Sequence, residues 1–129
     1  MSGALERRIR AFVAAMDAGD VATMADLLAD DVVYDRPVVG PGGEAGREVH
    51  RGKPAVVALL TERFATPRAT HRIGAYADRG EHAFVEGVLR TPDGSSLGWV
   101  STFRCTPRLT IRRWLVLLHP LATLPPDPS

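Results

Sequence analysis

Residues 81–118 read EHAFVEGVLRTPDGSSLGWVSTFRCTPRLTIRRWLVLL, and this stretch decides the fold. Residues 82–91, 97–105 and 109–118 read as three strands, in which neighbouring side chains point to opposite faces. Pro92-Asp93-Gly94 parts the first two runs with an Asp-Gly hairpin signal, and Thr106-Pro107 parts the second from the third. The pattern predicts three consecutive antiparallel strands. Parity places Phe84, Glu86 and Val88 on one face and Ala83, Val85, Gly87 and Leu89 on the other. A carboxylate among apolar neighbours on a sheet face points to a small-molecule site.

Upstream, Leu5, Ile9, Phe12, Val13 and Met16 fall on one helical face, and Gly19 ends that helix. Asp20 is placed to cap a short second helix with Val21, Met24, Leu27 and Leu28 on its apolar side. Residues 32–36 predict a strand stopped by Pro37, and residues 40–46 a flexible loop. Pro54 opens a third helix to about Phe64, and residues 69–77 predict a further strand with its turn at 78–80. The expected order is helix, helix, strand, helix, then four strands in a meander. Helices on one side of a mostly antiparallel sheet make an α+β architecture, and a curved sheet closed by helices leaves a cavity.

The 129 residues suit one domain, expected over residues 1–120, with a Pro-rich tail at 121–129. The composition is 45% hydrophobic and 24% charged, ordinary for a globular protein, and the net charge of +1 argues against nucleic acid or an anionic membrane as partner. Lys53 is the sole lysine, and Asn and Gln are absent, a bias we assign to a GC-rich genome. The lone Cys105 leaves no intrachain disulfide and no cysteine metal cluster. The start is not patterned as a signal peptide, and no apolar run reaches the roughly 20 residues of a membrane span. A cytoplasmic location is the expectation. No metal-ligand spacing is present, so no metal and no cofactor are expected. Residues 40–45, Gly-Pro-Gly-Gly-Glu-Ala, formally match a dinucleotide fingerprint, but no parallel βαβ unit surrounds them.

Four segments carry a resemblance: Phe12-Val-Ala-Ala-Met-Asp-Ala-Gly-Asp20, Leu27-Leu-Ala-Asp-Asp-Val-Val-Tyr-Asp-Arg-Pro37, Arg51-Gly-Lys-Pro-Ala-Val56, and Ile111-Arg-Arg-Trp114 followed by His119-Pro120. With them the chain resembles the NTF2-like, or SnoaL-like, superfamily. The resemblance implies a cystatin-like cone of three N-terminal helices packed on a curved, mostly antiparallel sheet. It leaves function open among isomerases, cyclases, dehydratases, epoxide hydrolases and binding domains. In ketosteroid isomerase the oxyanion tyrosine falls on Phe12, the catalytic base on Arg36 and the oxyanion acid on Ser101, so all three are replaced here. In limonene epoxide hydrolase Tyr34 matches the tyrosine, Arg36 falls on the asparagine, Glu86 on the first aspartate, Phe84 on the arginine and Val116 on the second aspartate. Where SnoaL-type cyclases carry an aspartate on the last strand, this chain has Trp114-Leu-Val-Leu-Leu118.

Glu86 is the leading catalytic candidate, since burial raises a carboxylate's pKa toward general-acid use; the alternative is an outward, solvated Glu86 beside His82 and Arg90. Tyr34 and Arg36 share a strand face, a phenol to donate or accept and a cation to anchor a carboxylate or enolate; the alternative is a core tyrosine and a strand-end arginine. His71, placed by parity with Ile73, Ala75 and Ala77, is either a proton shuttle or a structural histidine. Trp99, Ser101, Phe103, Phe12 and Val116 are expected as substrate-binding wall, or else as core. The function expected is cofactor-independent acid–base chemistry, a cyclisation or isomerisation of an apolar, oxygenated small molecule in polyketide or other natural-product biosynthesis. A non-catalytic small-molecule-binding or dimerisation module and an epoxide hydrolase stand as alternatives. Apolar residues on both faces of the last three strands predict a homodimer.

Overall fold

A computed structural model describes residues 3–121. The expected tail at 122–129 lies outside the described residues. Along the chain run α1 (Ala4–Ala18), α2 (Val21–Leu27), β1 (Leu28–Val39), β2 (Ala45–Arg51), α3 (Lys53–Phe64), β3 (Thr70–Arg79), β4 (His82–Arg90), β5 (Ser96–Cys105) and β6 (Ile111–Pro120). One six-stranded sheet has the order β2-β1-β6-β5-β4-β3. Only β1 and β6 pair in parallel; every other neighbour is antiparallel. The α+β expectation holds, with one correction: α3 follows two strands instead of preceding the sheet.

The local chemistry of the helices is orthodox. Gly19 closes α1 in the left-handed region at φ 70°, and Asp20 caps α2 by accepting the Thr23 N–H. The apolar stripe of α1 buries Leu5, Ile9, Phe12 and Val13 against one face of the sheet. There Phe12 meets Trp114 and Phe103 edge-on, at 4.8 and 5.9 Å between ring centres. Each such side chain contributes about 1.5–3 kcal/mol by leaving water, so this cluster outweighs any surface pair. Val56 and Leu60 of α3 close the core from the other side.

Four local features depart from expectation. Residues 45–51, read as part of a loop and its exit, form β2, which pairs with β1 from Val33↔Arg51 to Val39↔Ala45. Pro37 therefore does not stop β1. Past Asp35 the strand has lost its β6 partner and is an edge on that side, the setting in which proline is tolerated. Leu28 begins β1 instead of ending α2. The last strand starts at Ile111, because Leu109 takes a positive φ of 63° in a tight turn closed by Thr106.

Register shifts at Ile73/Ala75, Leu28/Val33 and Arg104/Cys105 bend the sheet toward the helices. At the first, Gly74 is the extra residue, and β3 and β4 approach so closely that a Cβ on Gly87 would lie 2.0 Å from the Arg72 carbonyl oxygen. The bulge also resets parity. His71 and Ile73 face the helices, but Tyr76 follows them there, and Ala75 and Ala77 turn outward. The expected shared face of His71 with Ala75 and Ala77 is thus corrected.

Candidate functional site

Between α1, α3 and the concave face of the sheet lies a cavity of about 130 Å³. Its inner wall is Trp99, Trp114, Leu60 and Val116, and its mouth is framed by α3 and the segment leading into β3. Tyr34, Arg36 and His71 all border it, as do Trp99 and Val116 from the expected wall.

Tyr34 is held by stacking. β1 and β6 place it beside Trp114, with ring centres 3.8 Å apart and planes 11° from parallel. Burial pushes its phenol pKa up, opposed by the charges of Arg63 and Arg36 and by a hydrogen bond from Arg63. A phenol both donates and accepts, so the Tyr34 hydroxyl can serve a ligand in the cavity in either role.

Arg36 is occupied differently. The hairpin of β1 and β2 sets it across from Glu48, and Arg36 Nη2 donates to Glu48 Oε1 at 2.8 Å. His50 Nε2 meets the same oxygen. The bond from Arg36 and then that from His50 hold the Glu48 carboxyl below the usual carboxylate range. The charge of Arg36 is therefore matched within the protein.

His71 carries the most specific geometry. Its Nδ1 lies 2.7 Å from Asp17 Oδ1, and its backbone N–H donates to both Asp17 oxygens at 3.1 and 3.0 Å. A carboxylate only accepts, so the pairing makes Nδ1 the protonated nitrogen and leaves the Nε2 lone pair for the cavity. The Trp99 indole meets the imidazole edge-on at 4.7 Å and 67°, which limits ring rotation.

Other candidates fall elsewhere. Glu86 is exposed on the outer face with Phe84 and Val88, away from the cavity, because β4 covers its Ala83–Val85–Leu89 side with the helices. This corrects the leading catalytic expectation. Ser101 is fully buried and spends its hydroxyl on the Leu115 carbonyl at 2.9 Å. Phe12 and Phe103 are core, in contact with each other and behind the residues that line the cavity. Cys105 is buried, which pushes its thiol up to about 11.

Residues missed at first are Asp17, Glu48, Arg63, Arg68 and Trp114. Asp17 left one trace in the sequence: it follows Val13 by four and so continues the apolar stripe of α1, where a carboxylate needs a buried partner. Among the described residues no three His, Cys, Asp or Glu side chains converge as a metal site requires. Among them, too, no helix is long and apolar enough to cross a membrane.

Comparison with known proteins places this geometry in a family. Residues 9–112 match the family model described as SnoaL-like domain. An NTF2-like protein of unknown function from Mesorhizobium loti superposes with a TM-score of 0.70 at 21% identity, covering 88% of this chain and 89% of that one. A putative SnoaL-like polyketide cyclase from Shewanella denitrificans gives 0.68 at 14%, again over 88% and 89%. The epoxide hydrolase/cyclase-like enzyme SalBIII, of pyran ring formation in the polyether salinomycin, gives 0.69 at 15% over the same shares. No curated protein matches the sequence. The bent sheet, its cavity and the match over residues 9–112 lead to one conclusion: the chain belongs to the SnoaL-like domain family.

Proposed function

We propose that this protein binds a small, apolar, oxygenated molecule in the cavity and performs acid–base chemistry on it, an isomerisation or cyclisation by proton transfer. The observation that carries this reading is the Asp17–His71 pair, whose histidine borders the cavity. Asp17 fixes the tautomer, so Nε2 takes a proton from a carbon next to a carbonyl. The Tyr34 hydroxyl donates to the oxygen on which negative charge develops, with the Arg63 cation beside it. Nε2 then returns the proton to a different atom. General acid–base help of this kind is worth roughly 10²–10⁴ in rate. The polyketide cyclase and the epoxide hydrolase/cyclase-like enzyme among the structural neighbours support a reaction of this class. The epoxide hydrolase reading loses its acid, since Glu86 lies outside the cavity.

A second reading, a non-catalytic binding module, is favoured by one observation: among the described residues no Asp or Glu borders the cavity itself. Deuterium exchange separates the two. In D₂O the wild type should speed α-proton exchange of small cyclic ketones, followed by NMR, and His71→Asn should lose that effect. Exchange at the uncatalysed rate with the wild type, while the ketones bind, would leave the binding module.

A further inference from the structure

We infer that the cavity takes its molecule as an anion: a small carboxylate whose apolar body is about one ring in size, with the carboxylate on Arg63 at the mouth. This rests on the same site as the proposed chemistry and narrows its substrate class.

The charge inventory points this way. Among the described residues three arginines border the cavity, Arg36, Arg63 and Arg68, and no acid does. Arg36 is matched by Glu48. Among the described residues neither Arg63 nor Arg68 has a carboxylate within ion-pair distance. Asp17 is near, but its oxygens are committed to His71. A mouth with two unmatched cations above an apolar interior suits a molecule with an anionic head and an apolar body.

The cations are also positioned. Arg68 Nε donates to the Asp17 carbonyl at 3.0 Å, and its guanidinium lies 5.7 Å from the Phe64 ring centre. It is packed so tightly on Gly19 that a Cβ there would come within 2.9 Å of Cζ. Part of this is a structural duty, since Arg68 supplies the positive charge that the last turn of α1 lacks. Arg63 likewise sits in the last turn of α3, where its charge suits the helix C-terminus, and it borders the cavity as well. Its guanidinium, exposed at the end of α3 and bordering the cavity, offers a carboxylate two parallel donors. Both arginines are exposed, so the attraction is screened by salt.

Size sets the body. A dry cavity of about 150 Å³ holds one benzene ring, and this one is about 130 Å³. Trp99 and Trp114 form its wall, so their indole N–H signals report occupancy.

The test titrates 3-phenylpropionate and 3-phenylpropionamide into the protein and follows the two indole signals by NMR. The acid should bind about tenfold more tightly than the amide, a preference that shrinks with added salt. Arg63→Gln should abolish the preference, and Arg63→Lys should keep part of it, with unchanged melting showing that the fold is intact. Equal binding of acid and amide, a preference that survives Arg63→Gln, or silence of both indoles with both probes would overturn the inference. The preference should persist in His71→Asn. Acid preference in a wild type that exchanges no ketone protons would sink the catalytic reading and leave the anion site standing.

Discussion

Asp17, in the last turn of α1, grips His71, at the start of β3, through both the backbone N–H and the ring Nδ1, across 54 residues of chain. One carboxylate thus fixes where a strand begins, docks it against a helix and sets the tautomer of the imidazole that faces the cavity.

Removing this grip should cost both stability and activity. Asp17→Asn loses charge-assisted bonds at a site a quarter exposed on the Asp17 side. About 1 kcal/mol is the expected scale after solvent screening, a fall of about 3–6 °C in melting temperature. His71→Asn should melt closer to the wild type. Ketone α-proton exchange should fall in both, with Asp17→Glu recovering part of it and Asp17→Asn altering the pH profile of exchange. An Asp17→Asn protein with normal exchange would assign the pair a purely structural role.

Tyr34→Phe keeps the ring stacked on Trp114 and removes only the hydroxyl. Melting should change little. Affinity for an oxygenated ligand should fall by up to about tenfold, the worth of one hydrogen bond at about 0.5–1.5 kcal/mol. Calorimetric titration of wild type and variant checks this, and equal affinities refute it.

The Arg36–Glu48–His50 cluster makes a pH prediction. The Glu48 carboxyl is held below its ordinary range by the bond from Arg36, then by that from His50. A depressed carboxylate pKa stabilises the folded state above the unfolded value, about 4.3, and that contribution disappears as pH falls through the folded value. Glu48→Gln should therefore melt below the wild type near neutral pH, and the two curves should converge as pH falls through the folded value. A gap that stays constant down to acid pH would rule out titration of Glu48 as its source.

The outer face of the sheet remains to be covered. Phe84 is 41% exposed, Val88 36% and Leu117 46%, all on strands at the centre of the outward side. We propose that this face packs on a second copy in a two-fold dimer. Light scattering at micromolar concentration should give twice the chain mass, and Phe84→Glu with Leu117→Glu should give a folded monomer. A monomeric wild type would refute it.

What the sequence by itself determined is the part governed by neighbours along the chain. The 3.6-residue stripe from Leu5 to Met16, the glycine stop at Gly19, the Asp-Gly hairpin and the alternation of β4 and β5 each need only a few adjacent residues, and each is found where it was expected. The family could be recognised for the same reason, from short segments around the two ends of the sheet. Tertiary structure alone decided the site. Alternation gives a strand two faces without saying which one the helices cover, so Glu86 and Tyr34 looked alike in sequence, and packing sent one out and the other in. A single inserted residue at Gly74 reversed the parity of half of β3, and no periodicity detects a bulge that the partner strand creates. The strand β2 is too polar to signal itself and exists because β1 offers it an edge. Asp17 meets His71, and Arg63 and Tyr34 line one cavity, only because a bent sheet brings the end of α1 and the end of α3 together over it, a closeness in space that no spacing along the chain encodes.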